Sequence, residues 1–242
     1  MPLSRGTEST LSIYGGKDPR AIPTYTFTEA AHYLRAPAST LRSWTRGQSY
    51  QTQAGPQPFE PVIDFDDPAG RLLSFTNLVE LHVLIQMRRT HAIQLPKVRQ
   101  ALRFVAERLG LAHPLARQQF QTDGVDLLIE RYGELVAASA HGQLVMRAVV
   151  ADALRRIELD ATGLAARLFP YTRRAGSHSP RLVVVDPRIA FGRPVLAGTG
   201  IPTAVLAERF NAGESLTDLA QDYERDVVEI EEAIRCELPM AA

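Results

Sequence analysis

Apolar residues first fall into a regular pattern at Phe27. Phe27, Ala30, Ala31 and Leu34 recur at i, i+3, i+4 and i+7, which predicts a short amphipathic helix. Thr26 and Glu29 have the spacing of a capping box at its start. Arg35 and Ala36 read as a turn. Pro37 suits the first position of a second helix, where its missing N–H costs nothing. In that helix Ala38, Leu41 and Trp44 point inward, and Ser39, Arg42, Ser43 and Arg46 form the complementary face. Residues 25–46 therefore read as a helix-turn-helix. Short polar and basic side chains on one face, with apolar anchors on the other, are what a helix needs to read base edges in a DNA groove.

A loop rich in Gln, Pro and Gly follows Gly47 and runs to Glu60. Residues 62–65 and 71–75 flank the turn 66–70 and are expected to form a small hairpin, a wing beside the helix pair. Ser74 is placed to cap a helix running to about Thr90, with Leu78, Leu81, His82 and Ile85 on one side. Pro96 starts another, ended by Gly110. Its Val98, Leu102, Val105 and Leu109 fit either a core stripe or a dimer seam.

Residues 117–121 and 125–129 flank Asp123-Gly124, a hairpin signal, and residues 135–139 suggest a further strand. A helix is expected from about 143 to 159, with Ala148, Ala151 and Leu154 facing inward. Residues 171–180 read as a linker, and 182–185 as a short buried strand before the Gly/Pro-rich stretch 186–202. Three short helices close the chain near 204–211, 216–223 and 227–237. Gly213 ends the first, Ser215 caps the second, and Asp226 with Glu229 caps the third. The expected fold is mainly α with small β hairpins (α+β). Its parts are a mobile arm 1–24, a winged helix-turn-helix domain 25–110, a mixed α/β middle region and linker 111–180, and a C-terminal helix-turn-helix-like bundle 181–242.

Charge changes this picture more than composition does. The 242 residues carry 27 basic and 27 acidic side chains, yet residues 1–110 have a net of +4, residues 111–203 of +3 and residues 204–242 of −7. A phosphate-binding surface must draw on the first two regions, since the acidic end repels DNA. The candidate DNA contacts are thus Ser39, Thr40, Arg42, Ser43 and Arg46, with Arg71 from the expected wing. The one cysteine, Cys236, rules out an internal disulfide and reads as inert. The start of the chain lacks a secretory layout and no apolar run approaches a bilayer span, so a cytoplasmic protein without membrane contact is expected.

Enzyme and cofactor signals are scarce. Gly198-x-Gly200 lacks a third glycine and a Walker lysine. His32, His82, His91, His113, His141 and His178 have no helical metal spacing, and Asp64, Asp66 and Asp67 lack the spacing of a calcium loop. No catalytic residue, metal or cofactor is expected.

Two resemblances sharpen the function. YTFTEAAHYLRAPASTLRSWTRG, PVIDFDDPAGRLLSF and the helices after them resemble the winged helix-turn-helix of MerR-type regulators over about residues 24–110. That resemblance implies a dimer whose second helix reads the major groove while the wing touches backbone. The long 48–60 insertion departs from the compact MerR pattern. Residues 186–234 resemble the C-terminal domain of VapB-type antitoxins, on Gly192-Arg193-Pro194, Gly198-Thr199-Gly200-Ile201-Pro202 and three helices in register; Gly200 stands where the family has arginine. The order of the parts then implies an antitoxin that autorepresses its operon as a homodimer on operator DNA and inhibits a PIN-domain ribonuclease toxin. The alternatives are a stand-alone MerR-like regulator without a toxin and a purely structural adaptor whose helices never touch DNA. The toxin's active site would be acidic, and residues 167–193 carry six arginines against one acid, Asp186. Arg173, Arg174 and Arg193 are the candidate toxin contacts.

Overall fold

Thr26 starts the first helix as its spacing requires. In the computed structural model, which describes residues 13–52, 55–65, 67, 69–89, 94–136, 140–173 and 179–238, its hydroxyl accepts the Glu29 N–H at 3.1 Å, and the Glu29 carboxylate accepts the Thr26 N–H at 2.8 Å. Helix α1 (Phe27–Leu34) buries Phe27, Ala30 and Leu34. It ends at Arg35, whose φ of 54° turns the chain into α2 (Ala38–Arg46). Pro37 lies one position earlier than expected, as the N-cap with extended backbone, rather than inside the helix. Leu41 and Trp44 are buried, and Ala38 packs partly against the same core.

The centre of the molecule is α3 (Phe75–Arg89). Ser74 Oγ accepts the Asn77 N–H at 3.0 Å, as the sequence predicts for its cap. The helix is not one-sided, however. Val79, Glu80, Val83 and Leu84 are as buried as Leu78, Leu81, His82 and Ile85, because neighbours cover every side. Each large apolar side chain so buried contributes about 1.5–3 kcal/mol. Helix α4 (Leu95–Leu109) is closed by Gly110 and buries Val98, Leu102 and Val105 within the chain's own core, packed against α5 (Val125–Val136). The 4-3-4 stripe is core packing.

The region after Gly110 departs most from expectation. Asp123-Gly124 makes no hairpin. A wide turn over Phe120–Gly124 leads directly into α5, and a Cβ on Gly124 would lie 2.6 Å from the Phe120 ring. Glycine is there for ring clearance. Leu135 and Val136 end α5 rather than starting a strand, and residues 137–139 lie outside the described residues. Helix α6 (Ala140–Leu154) stops five residues short of the expected end. Residues 157–159 form a strand, Ile157–Leu159, paired with Ala165–Leu168. Met146, Val150, Ala153 and Leu154 face inward, whereas Ala148 is exposed.

The two segments expected to be loose are tied down where they are described. In the arm, Tyr14 Oη donates to the Pro187 carbonyl at 2.8 Å, and Arg20 bridges Asp18 and Asp160. In the linker, Arg156 is buried and its guanidinium donates to the carbonyls of Phe169, Pro170, Ser179 and Pro180 at 2.7–3.3 Å, with Tyr171 stacked over it. Residues 174–178 fall outside the described residues.

The tail follows its sequence closely. Val183–Val184 pairs with Val195–Leu196, and α7 (Thr203–Asn211), α8 (Leu216–Asp222) and α9 (Val227–Glu237) enclose Leu206, Leu219, Ile230, Ala233 and Ile234. Ser215 caps α8, and Asp226 with Glu229 forms the capping box of α9. Among the described residues no helix is long and apolar enough to cross a membrane, and no group of three His, Cys, Asp or Glu side chains is placed to hold a metal. Cys236 is buried, and burial pushes its thiol up to about 12.

Candidate nucleic-acid interface

The face of α2 turned to solvent is the one its spacing predicts. Ser39, Arg42 and Arg46 are exposed, and Thr40 and Ser43 sit half-buried on one flank. The other side of the helix is locked: Thr45 Oγ1 donates to the Leu41 carbonyl at 2.9 Å, and the Trp44 carbonyl accepts the Val62 N–H at 2.7 Å. The two arginines are held in place. Both guanidiniums lie over the Phe27 ring, Arg42 at 5.5 Å and Arg46 at 5.0 Å from its centroid. Each such contact contributes about 0.5–1 kcal/mol at an exposed site and orients the planar fork.

Arg71 reaches the same patch by a route the sequence does not show. Residues 62–65 form no strand. Leu72–Leu73 (β4) pairs instead with Tyr25–Thr26 (β1), Tyr25 opposite Leu73, so the expected hairpin is replaced by a pairing across the helix-turn-helix. The turn before Arg71 is built on Asp67, which accepts the N–H groups of Leu72, Arg71 and Ala69 at 2.7–2.9 Å; these donors hold its carboxyl below the usual range. A Cβ on Gly70 would lie 3.5 Å from Arg46 Nε, so this turn abuts α2. Arg42, Arg46 and the turn bearing exposed Arg71 form one basic patch.

The hairpin that does exist is the insertion read as a loop. β2 (Gln48–Thr52) pairs antiparallel with β3 (Gly55–Phe59) directly after α2, with Gln48 opposite Phe59 and Tyr50 opposite Gln57. Gln48–Gln51 carries no apolar alternation to mark a strand, and Pro56 and Pro58 suit an exposed edge rather than a central strand. Gly47 makes the junction. Its φ is +72°, and a Cβ there would meet the Phe59 carbonyl at 2.5 Å.

Between α2, this hairpin and the end of α3 lies a cleft of about 490 Å3. Thr40, Ser43, Gln48, Arg88 and Arg89 are among its lining residues. Arg88 and Arg89 are exposed and were not singled out in the sequence; a basic last turn on a helix carries no functional mark by itself.

The candidate toxin contacts do not share one surface state. Arg173 is engaged with Glu232, whose carboxylate is buried and also accepts the Thr172 hydroxyl. Arg167 and Arg188 are engaged by Asp186, and Arg181 by Glu158. Arg193 is exposed and has no ion pair with a described carboxylate, beside exposed Phe191, whose φ is 54°. Arg174 lies outside the described residues.

Comparison with known proteins follows this division. Residues 23–102 match the family model described as "Putative DNA-binding HTH domain". The head is a helix-turn-helix unit. Residues 183–235 match a family described as "Protein of unknown function (DUF433)". A curated relative, "Putative antitoxin VapB45" of Mycobacterium tuberculosis, is 29% identical over 218 residues, 84% of this chain and 88% of that protein. "Uncharacterized protein Rv2308" of the same organism is 23% identical, covering 87% and 88%. The crystal structure of Rv2018 from Mycobacterium tuberculosis superposes with a TM-score of 0.64 at 24% identity, over 88% of this chain and 98% of that one, a likeness of fold.

Proposed function

We propose that the chain is an antitoxin of a type II toxin–antitoxin module that also represses its own operon. The observation that carries the DNA-binding part is the patch of Ser39, Arg42, Arg46 and Arg71 mounted on a helix-turn-helix, in which Arg42 and Arg46 rest on the Phe27 ring without an ion pair to a described carboxylate and Arg71 projects from the turn built on Asp67. A helix with this face enters the major groove, where guanidiniums pair with guanine edges. Binding as a homodimer to a two-fold operator is the arrangement such a unit uses. The likeness to a relative named as an antitoxin supports the second half, with the partner a PIN-domain ribonuclease of VapC type. Of the two described arginines proposed to face that toxin, Arg173 and Arg193, Arg193 is the better presented. Arg173 supports the region through Glu232.

Co-expression with the product of the neighbouring gene tests both halves at once. The expected result is a co-purifying complex without ribonuclease activity that retards DNA from upstream of the operon. Retarded DNA with no co-purifying partner would identify a stand-alone MerR-like regulator. A complex that ignores DNA would remove the repressor role.

A further inference from the structure

We propose that the cleft beside α2 seats the sugar-phosphate backbone of the bound duplex, with Arg88 and Arg89 as its phosphate ligands and one face of the β2–β3 hairpin as its wall. The inference rests on the DNA-binding role proposed above and adds a second surface to it.

Four observations converge. Among the described residues no carboxylate lines this cleft, whereas the next one, about 290 Å3 beside Thr45, is lined by Asp64 and Glu80 along with Arg103. A polyanion fits the first, whose charged lining is wholly basic, better than the second, whose lining is mixed. The three arginines of the cleft then separate by role. Arg35 is committed elsewhere, donating to the carbonyls of Arg235, Cys236 and Leu238 at 2.6–3.0 Å. Arg89 gives one N–H to the Arg35 carbonyl at 2.8 Å and makes no ion pair with a described carboxylate. Arg88 is exposed without an ion pair to a described carboxylate.

The cleft is also continuous with the base-reading face. Thr40 and Ser43 line it from the flank of α2, so the strand bordering a groove entered by Ser39 and Arg42 passes over their hydroxyls. Hydroxyls, amides and guanidiniums in this position fix register on the phosphates without reading sequence. Finally, the antiparallel register puts Gln48, Tyr50, Gln57 and Phe59 on one face of the hairpin, and Gln48 and Phe59 line the cleft. Tyr50, 48% exposed, extends that face with a hydroxyl donor. A wall of amide and hydroxyl groups beside two arginines offers a phosphate strand hydrogen-bond donors as well as charge.

The test uses the full-length protein with two duplexes, one from upstream of its own coding region and one scrambled, titrated across a range of salt. Arg88→Ala should weaken both duplexes by the same factor, about threefold or more, and reduce the salt slope by about 0.9 per lost phosphate contact. Tyr50→Phe should weaken both by a smaller common factor. Arg131→Ala removes the same charge from α5, which does not line the cleft, and should bind like wild type. Unchanged affinity and slope for Arg88→Ala, while Arg42→Ala still loses preference for the upstream duplex, would overturn the cleft proposal and leave the base-reading face standing. Failure of the wild type to bind either duplex would remove both. Intact DNA binding by Arg88→Ala with release of a co-purified protein would give the cleft to that protein, against the proposal.

Discussion

Arg42 and His82 show how differently two residues of one core-and-face arrangement can act. Arg42 rests on Phe27 and is exposed, so the DNA contact proposed for it shows only in a binding measurement. Arg42→Ala is expected to cost about 1–3 kcal/mol on the operator and to relax sequence preference, whereas Arg71→Ala weakens all sequences alike; competitive gel shifts measure both. His82 is fully enclosed, stacked on Tyr171, with its Nε2 3.2 Å from the Ala153 carbonyl. Burial dominates its titration and lowers it to about 4. The unfolded chain therefore takes up a proton near 6.5 that the folded chain refuses until about 4, and stability falls as pH drops through that window, on the order of 3 kcal/mol in total. Carboxylates held low, such as Asp160 at about 2 and Asp186, lose their contribution only further down. His82→Gln keeps a donor for Ala153 without the proton uptake. Urea unfolding from pH 7 to 5 should give a flatter profile for that variant, and an unchanged slope would clear His82 of the effect.

At the scale of elements, α1, α2 and the tail helices were legible because their caps and apolar spacings are local. Thr26/Glu29, Ser215 and Asp226/Glu229 each settle a helix start within four residues of chain. The strands were not legible in the same way. β4 looked like half of a hairpin with residues 62–65, yet its partner is β1, nearly fifty residues earlier. Conversely, the 48–60 stretch looked like a loop because prolines interrupt it, and it forms the exposed ribbon next to the candidate DNA face. Gly47 is the hinge of that ribbon. Gly47→Ala should cost about 1–3 kcal/mol from backbone conformation alone, before the clash with the Phe59 carbonyl is relieved. Chemical denaturation checks the stability, and selective loss of amide protection in Gln48–Thr52 would place the damage in the hairpin.

For the molecule as a whole, the turn of the helix-turn-helix is also the anchor of the tail. Arg35 adopts a left-handed conformation that an L-residue occupies at a cost of about 1–2 kcal/mol. Its guanidinium closes the last carbonyls of α9, where the helix dipole also favours a cation. Glu237, at the same end, accepts hydrogen bonds from His32 and Thr203. Burial raises its carboxyl, but these bonds and the charges of His32 and Arg35 outweigh that and hold it low. Gly192 packs so tightly on Tyr25 that a Cβ would fall 2.2 Å from the hydroxyl. The acidic tail is thereby fixed to the basic head. Arg35→Ala should destabilise by about 1–3 kcal/mol and speed amide exchange near 234–238. Arg35→Gly loses the same bonds but relieves the backbone, and should be the milder of the two. Equal protection in wild type and Arg35→Ala would mean the tail holds its end without this contact.

The helix-turn-helix, its polar face, the order of the tail helices and the split of charge between head and end are all legible in the order of residues, because each depends on neighbours within a few turns of one another. Tertiary structure decided what depends on distant partners. It assigned β4 to β1 and gave Gly124 to the Phe120 ring. It set Arg173 against Glu232, fifty-nine residues away, and left Arg88 and Arg89 at the rim of a cleft beside α2. A charge or a glycine carries no mark of the neighbour it will meet; burial and pairing supply that only once the chain has closed on itself.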